Sequence, residues 1–471
     1  MSARRGAVAR DGRRLAVLCA LVFALAVLAV VSVTTTSAVA PIVATSDAKV
    51  TLSAESSAFY CVGLEHLQGV IESYVAVADL ASTPRIVEIT TTNERQQVSL
   101  RQVKVLPGHV FHFTPAKLLD GAIEAATVEA NQGGIVATES VRGVDGVAVA
   151  PCLSTAGPSW WLTGGSTERG TDFVLSVFNP YASEAVVSVT LQSPAGISVP
   201  NSYQGLVLGP HQLAALNVHA VAPSQSPITA HVVASDGNIV VYGIERSTVG
   251  APVLSILPAS PPSTSTYLPA GSGSTRSTTQ LLVVDTGTSP STASVQAVNP
   301  PGCGPHCAAP FLVDLTPGGA TRLTIAPSSR VLSGSPFAMS VQAGAPGIVV
   351  VQRVSSNGAT GQSTPIDDPS LEGAGRLVLV NPLANGFDAV NVMNPTTSAV
   401  RISLETVTPS GLRVIGKTYG IEPNGVIELS SKAIGGIVDG VLEVVATGRV
   451  VASGLVHGAL VGSGVLVAVP T

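Results

Sequence analysis

Five cysteines, eight histidines and two tryptophans carry most of the reactive or ligand-binding chemistry in this 471-residue chain. Cys303 and Cys307 flank a Gly-Pro turn in CGPHC. Redox thiol pairs use two intervening residues and a helix start that lowers the thiol pKa. Here three residues intervene, in a loop between strand patterns, so a local structural disulfide is expected. Cys61 and Cys152 bracket the first repeat. The simplest of three connectivities pairs Cys61 with Cys152 and Cys303 with Cys307. A crosslink over a loop of about 90 residues stabilises by about 4–5 kcal/mol in the chain-entropy model. His109 and His112, in HVFH, stand three apart, which on a strand sends them to opposite faces. They read as surface histidines. Adjacent Trp160 and Trp161 could form a ligand platform, since indole faces suit glycan rings. Packing at a domain seam is favoured, because Trp brings large apolar area to a small-residue core. Asp367, Asp368 and Glu372, in IDDPSLEG, are oxygen ligands of the kind a hard cation takes. They lack the spacing of a calcium loop and read as a solvated hinge. Nucleophile elbows, dinucleotide loops, Walker loops and zinc-protease motifs are missing from the sequence. The expectation is a non-enzyme with no cofactor or metal.

The elements that must position these residues repeat along the chain. Taking Asn179 as an origin, Pro194 and Gly196 follow fifteen and seventeen residues on. Asn394 has Pro409 and Gly411 at the same offsets, and Asp285 has Pro300 and Gly302. A diverged copy starts at Asp79 without the closing Pro-x-Gly. Each copy then places an apolar residue six after a proline: Phe113, Leu216, Leu323 and Leu429. Each later carries a turn residue leading into an apolar pair: GGIV, GNIV, PGIV and GRVV. A period near one hundred residues is a small domain, not a propeller blade or solenoid turn.

Within each copy the pattern alternates with period two. Val187, Val189 and Leu191 point one way, as do Ile402, Leu404 and Thr406, then Ala293, Val295 and Ala297, then Val87, Ile89 and Thr91. Such alternation marks strands with one face on a core. The second copy offers about seven short strands with regular turn signals. The expected fold class is all-β: four tandem immunoglobulin-like β-sandwich repeats after one N-terminal transmembrane helix. A jelly-roll-like order stays open. The repeats are drawn at 50–155, 156–252, 262–356 and 374–470, standing in a row. The segment 258–267 reads as a linker, and 357–373 as a flexible one. Residues 114–130 hold the one helical pattern in the exported part.

The N-terminus sets the location. Residues 1–14 form a basic tail, and 15–33 run nineteen residues without a charge. A helix of that length spans roughly 28 Å, close to the hydrocarbon thickness. Arginines ahead of it place the N-terminus in the cytoplasm. Cys19 lies within the span and reads as apolar filler. Residues 34–49 read as a stalk. SAVA, at 37–40, fits signal cleavage after Ala40, so both a retained anchor and a secreted form are consistent. Hydrophobic residues are 45%, charged residues 11% and aromatics 4%, so the cores are built from Val, Ala, Leu and Ile. A net charge of −5 without basic blocks argues against nucleic-acid binding.

APCLSTAGPSWWLTGGST, residues 150–167, followed by a strand pattern and Asn179-Pro180, resembles an actinobacterial family of single-pass or secreted cell-envelope proteins of unknown function. The likeness runs over nearly the whole chain, although the fourth repeat lacks the Gly-Gly opening. It implies an envelope setting and transfers no catalytic residue. The expected role is a non-enzymatic scaffold or binding surface for cell-wall glycan or protein partners. The rival is an accessory subunit or enzyme of cell-wall glycan assembly.

Overall fold

Val, Ile and Thr prefer the pleated, half-buried surface of a strand, and proline with glycine ends it. The chain follows that rule throughout. The computed structural model describes residues 57–66, 70–115, 122–143, 147–247, 255–272, 277–300, 302, 308–344, 346–356, 359–363, 375–381, 387–408, 411–434, 441–457, 463–467 and 469–470. Among them every regular element is a strand apart from two short 3-10 turns. No helix among the described residues is long and apolar enough to cross a membrane. The expected tail, span and stalk lie outside the described residues.

Repeat 1 carries β1 (Ser57–Glu65), β2 (Val70–Asp79), β3 (Arg85–Asn93), β4 (Val98–Val105), β5 (Val110–Phe113), β6 (Ile123–Ala130), β7 (Ile135–Gly143) and β8 (Val147–Pro151). They form two antiparallel sheets, β1-β6-β3-β4 and β5-β2-β7-β8. Repeat 2 carries β9 (Ser159–Gly165), β10 (Thr171–Phe178), β11 (Ala185–Ser193), β12 (Gly196–Ser198), β13 (Leu206–Leu208), β14 (Leu213–Asn217), β15 (Ile228–Asp236), β16 (Val240–Ser247) and β17 (Ser255–Pro258). Its fourth strand is split in two, and otherwise the order is the same. Repeats 3 and 4 follow with β18–β25, between residues 265 and 363, and β26–β34, between residues 376 and 470, again in the order 1-6-3-4 over 5-2-7-8, with β34 (Val469–Pro470) added beside the first strand of repeat 4.

The inward residues are those the alternation marks. Val187, Val189 and Leu191 are buried, as are Ile402 with Leu404, Ala293 with Val295, and Val87 with Ile89. The sheet order differs from the immunoglobulin arrangement, in which the first two strands share a sheet. Here strands 1 and 2 of every repeat lie in opposite sheets. Strand 1 is held instead by strand 6 of its own repeat and by the repeat that follows.

That second contact replaces the expected row of separate domains. β1 packs on β10 and β16 of repeat 2, and β9 packs on β19 (Ser277–Asp285) and β24 (Ile348–Ser356) of repeat 3. β18 (Ser265–Ser272) packs on β27 (Ala389–Asn394) and β32 (Val451–His457) of repeat 4. β26 (Arg376–Val380) packs on β2 and β7, which brings repeat 4 back to repeat 1. The eighth strands β8, β17, β25 (Ala359–Ser363) and β33 (Ser463–Val467) neighbour one another in the same cyclic order. Four sandwiches thus close into a ring, and Val50–Thr471 is one compact unit. The seams hold apolar clusters: Tyr60, Val62 and Ala125 pack with Phe178, Tyr242 and Ile256 between repeats 1 and 2. Val378, Val380 and Val441 of repeat 4 enter the core of repeat 1. Burying strand 1 on both faces recovers more hydrophobic free energy than exposing one face of it.

Three local expectations are corrected. Residues 123–130, read as helical, form β6, a strand between β1 and β3. Its Ala and Glu content favours helix, but seven of its eight residues are buried, and tertiary packing overrides so weak a propensity. The linker read at 357–373 contains β25, which pairs with β24. The linker read at 258–267 overlaps the end of β17 and the start of β18, and repeat 2 runs past 252 to include β17.

Candidate functional site

Trp160 and Trp161 are neighbours on β9, so their rings leave opposite faces of the sheet. Trp160 points into the core of repeat 2 and is 4% exposed. Its Nε1–H donates to Gly157 O at 3.0 Å and to Ile239 O at 2.7 Å. Trp161 is half-buried and stacks on His231, with centroids 4.0 Å apart and planes inclined by 12°. His231 Nε2 lies 3.0 Å from Ser159 Oγ, and burial lowers its pKa. The structure therefore offers one half-covered indole and no two-ring platform. A period-two argument applied to the tryptophans foretells this.

Cys61 and Cys152 are joined by a disulfide, and both are buried. The residues flanking them converge on a tyrosine of repeat 2. Tyr242, on β16, is fully buried. Its hydroxyl lies 2.9 Å from Pro151 O and 3.2 Å from Tyr60 O, and accepts from Leu153 N at 3.1 Å. Tyr60 and Leu153 also bond each other's backbones. The crosslink and the hydroxyl fasten one corner of repeat 1 to repeat 2. Burial raises the Tyr242 pKa well above its ordinary value, and the nearby Glu139 adds to the rise.

Buried carboxyls line the same seam. Glu65, at the end of β1, is 0% exposed. Arg246 Nη1 approaches its Oε1 to 3.7 Å, while Arg246 Nη2 and Nε donate to Asp172 Oδ2 at 2.6 and 3.1 Å. Burial pushes the Glu65 carboxyl up to about 7, against the pull of Arg246. Glu139 Oε2 accepts from Gly63 N at 2.9 Å, and burial pushes this carboxyl up to about 8. Just past β1, His66 Nε2 lies 3.4 Å from Glu124 Oε2 of β6. None of Glu65, Glu139, Arg246 or Tyr242 was singled out by sequence. The available signal was an ionisable residue inside an apolar run, as in FYCVGLE and IVATESV.

On the outside of repeat 1, Glu88 and Glu129 are direct cross-strand neighbours beside Gln102, in a cleft of about 270 Å³ bordered by Ile86. Gln102 Nε2 donates to Glu88 Oε2 at 3.0 Å. The outer edge strands also carry exposed apolar residues in all four repeats. Val98 and Leu100, Ile197 and Val207, Leu312, and Val414 are exposed there. His109 and His112 are both exposed, and His112 sets its ring edge-on to Tyr74 at 5.4 Å. No group of three or more metal-ligating residues occurs among the described residues. Cys303, Cys307, Asp367, Asp368 and Glu372 lie outside the described residues.

Comparison with known proteins gives little chemistry. No curated protein matches the chain significantly. Among solved structures, a tetra-tandem repeat in the extending region of a large adhesion protein aligns at 14% identity over 87% of this chain and 99% of that one, with a TM-score of 0.11. Residues 116–243, reaching from the second half of repeat 1 to β16 of repeat 2, match a family of unknown function, DUF5719.

Proposed function

We propose that this chain is a non-enzymatic envelope protein, exported or held at the membrane by residues 15–33, whose four sandwiches form a rigid platform for a cell-wall glycan or an envelope protein. The observation that carries this reading is ring closure. Each repeat contributes strand 1 to a seam with the next, and repeat 4 returns to repeat 1. Rigid scaffolds presenting loops and edges are how binding surfaces are commonly held. The ionisable groups with shifted pKa at the repeat 1–repeat 2 seam are buried in packing and do not line an open cleft. The disulfide fits an oxidising compartment. Trp161 and the exposed apolar residues of the outer edges are the surfaces on which a partner would bear.

Crosslinking in intact cells followed by mass spectrometry tests the reading. The expected result is recovery with the membrane or the medium and capture of wall glycan or an envelope protein. Recovery in the cytoplasm overturns the location. Turnover of a wall precursor by the purified full chain overturns the non-enzymatic role. Loss of glycan capture in Trp161→Ala, with folding retained, assigns the contact to that ring.

A further inference from the structure

Among the described residues, the seam between repeats 1 and 2 holds more acid than Arg246 can serve. Arg246 of β16 gives both short hydrogen bonds to Asp172 of β10 and reaches Glu65 only at 3.7 Å. Asp172 and Arg246 are the charged groups facing Glu65 across the seam, and neither Glu65 oxygen accepts a hydrogen bond among the described residues. Glu139 is 0% exposed, and its Oε1 has no hydrogen-bond partner there. The groups facing it are the Gly63 amide and the Tyr242 hydroxyl, neither of them a cation. A side chain at Gly63 would strike Ile256 of repeat 2 as well as Glu139, so Glu139 lies where β1 meets β17. A buried carboxylate without a dedicated partner is costly, and such a group keeps its proton.

We propose that the seam between repeats 1 and 2 is a proton-operated latch, closed while Glu65 and Glu139 are protonated and loosened when both become carboxylates. Each carboxyl releases its proton to water and gains a negative charge that Arg246, already engaged by Asp172, and the Gly63 amide offset only in part. Hydration of that charge parts β1 from β16. The disulfide keeps Cys61 joined to Cys152, so the movement falls between repeats and not within repeat 1. The seam between repeats 3 and 4 is an internal control, since its cluster is Tyr267, Val298, Ala338, Met393, Val426 and Val451.

Hydrogen exchange on the full chain tests the latch, with intrinsic rates corrected for pH. Between about pH 6 and about pH 9, amide protection in β1 and β16 is expected to fall at least about tenfold, while β23 (Pro336–Gln342) and β30 (Gly425–Ser430) hold theirs. The double variant Glu65→Gln, Glu139→Gln is expected to keep its protection at the higher pH. Equal loss in that variant, or unchanged protection in the parent protein, overturns the latch. If the variant does not fold, carboxyl carbon NMR of the parent protein decides. Glu65 and Glu139 both titrating well above the exposed glutamates support the latch, and either of them titrating with the exposed ones overturns it.

Discussion

Repeats 2 and 4 solve two packing problems one way, and repeats 1 and 3 solve them another. The first problem is the end of strand 2. In the even repeats Asn179 and Asn394 are buried there. Asn179 Nδ2 donates to Ser183 O, Leu208 O and Gly209 O at 2.7, 3.2 and 2.9 Å. Asn394 repeats the set on Ser398 O, Ile421 O and Glu422 O at 2.7, 3.2 and 3.1 Å. In the odd repeats an aspartate only accepts. Asp79 takes Ala81 N and Arg85 N, and Asp285 takes Gly287 N and Ser291 Oγ. The second problem is the third residue after the turn-Ile-Val landmark, on strand 7. Even repeats place Gly243 and Gly454 there, each under a phenylalanine, Phe173 or Phe387. Odd repeats place Glu139 and Gln352, both buried. One backbone frame thus accepts an aromatic over a glycine or a polar side chain in its place. The repeat in the backbone is about one hundred residues long, and the repeat in the chemistry is two such units.

The harshest way to break the comparison is to give an even repeat the odd solution. A Cβ on Gly243 would sit 2.8 Å from Phe173 and 2.9 Å from Leu162. Gly243→Glu is expected to destabilise by about 4–5 kcal/mol, through overpacking and a buried charge, in urea unfolding. A result near zero would mean that the core of repeat 2 is loose. Only repeat 1 has a disulfide among the described residues. Cys61→Ser with Cys152→Ser is expected to cost about 2–5 kcal/mol, read as a lower urea midpoint than the parent protein under oxidising conditions. Asn179→Asp removes donors from three carbonyls and buries a charge. It should cost about 2–3 kcal/mol, whereas Asp285→Asn should cost about 1, so that equal effects would erase the distinction between the two classes.

The pH dependence gives the gentlest test. Burial raises the Glu139 pKa from 4.5 to about 8, so the native state holds the proton more tightly than the unfolded chain. Its contribution to stability is fully present below about pH 4.5 and is lost as pH rises through about 8. Urea midpoints measured across that window should fall with rising pH in the parent protein. They should fall less steeply in Glu139→Gln, and an unchanged slope would show that Glu139 titrates normally.

Much of the strand framework was legible without coordinates, because strand alternation is a local signal. Asn179, Asn394, Asp285 and Asp79 marked the ends of strands, and their buried side chains explain why the copies agree there. The candidate site was far less legible. Trp160 and Trp161 looked like a pair in the sequence, yet one is core and the other lies across the sheet from it. Glu65 and Glu139 did not stand out in the sequence, since a single ionisable residue in an apolar run does not announce which face is covered.

The sequence by itself determined the alternation that turns residues such as Val187, Val189 and Leu191 inward, the turn residues that end many of the strands, and the recurrence of a domain-sized unit. Only the tertiary structure decided the sheet order, the placing of 123–130 in a sheet, and the closure of repeat 4 onto repeat 1. The physical reason is range. Turn chemistry and alternation act over a few residues, whereas the second partner of a strand buried on both faces is fixed by hydrophobic contacts hundreds of residues away.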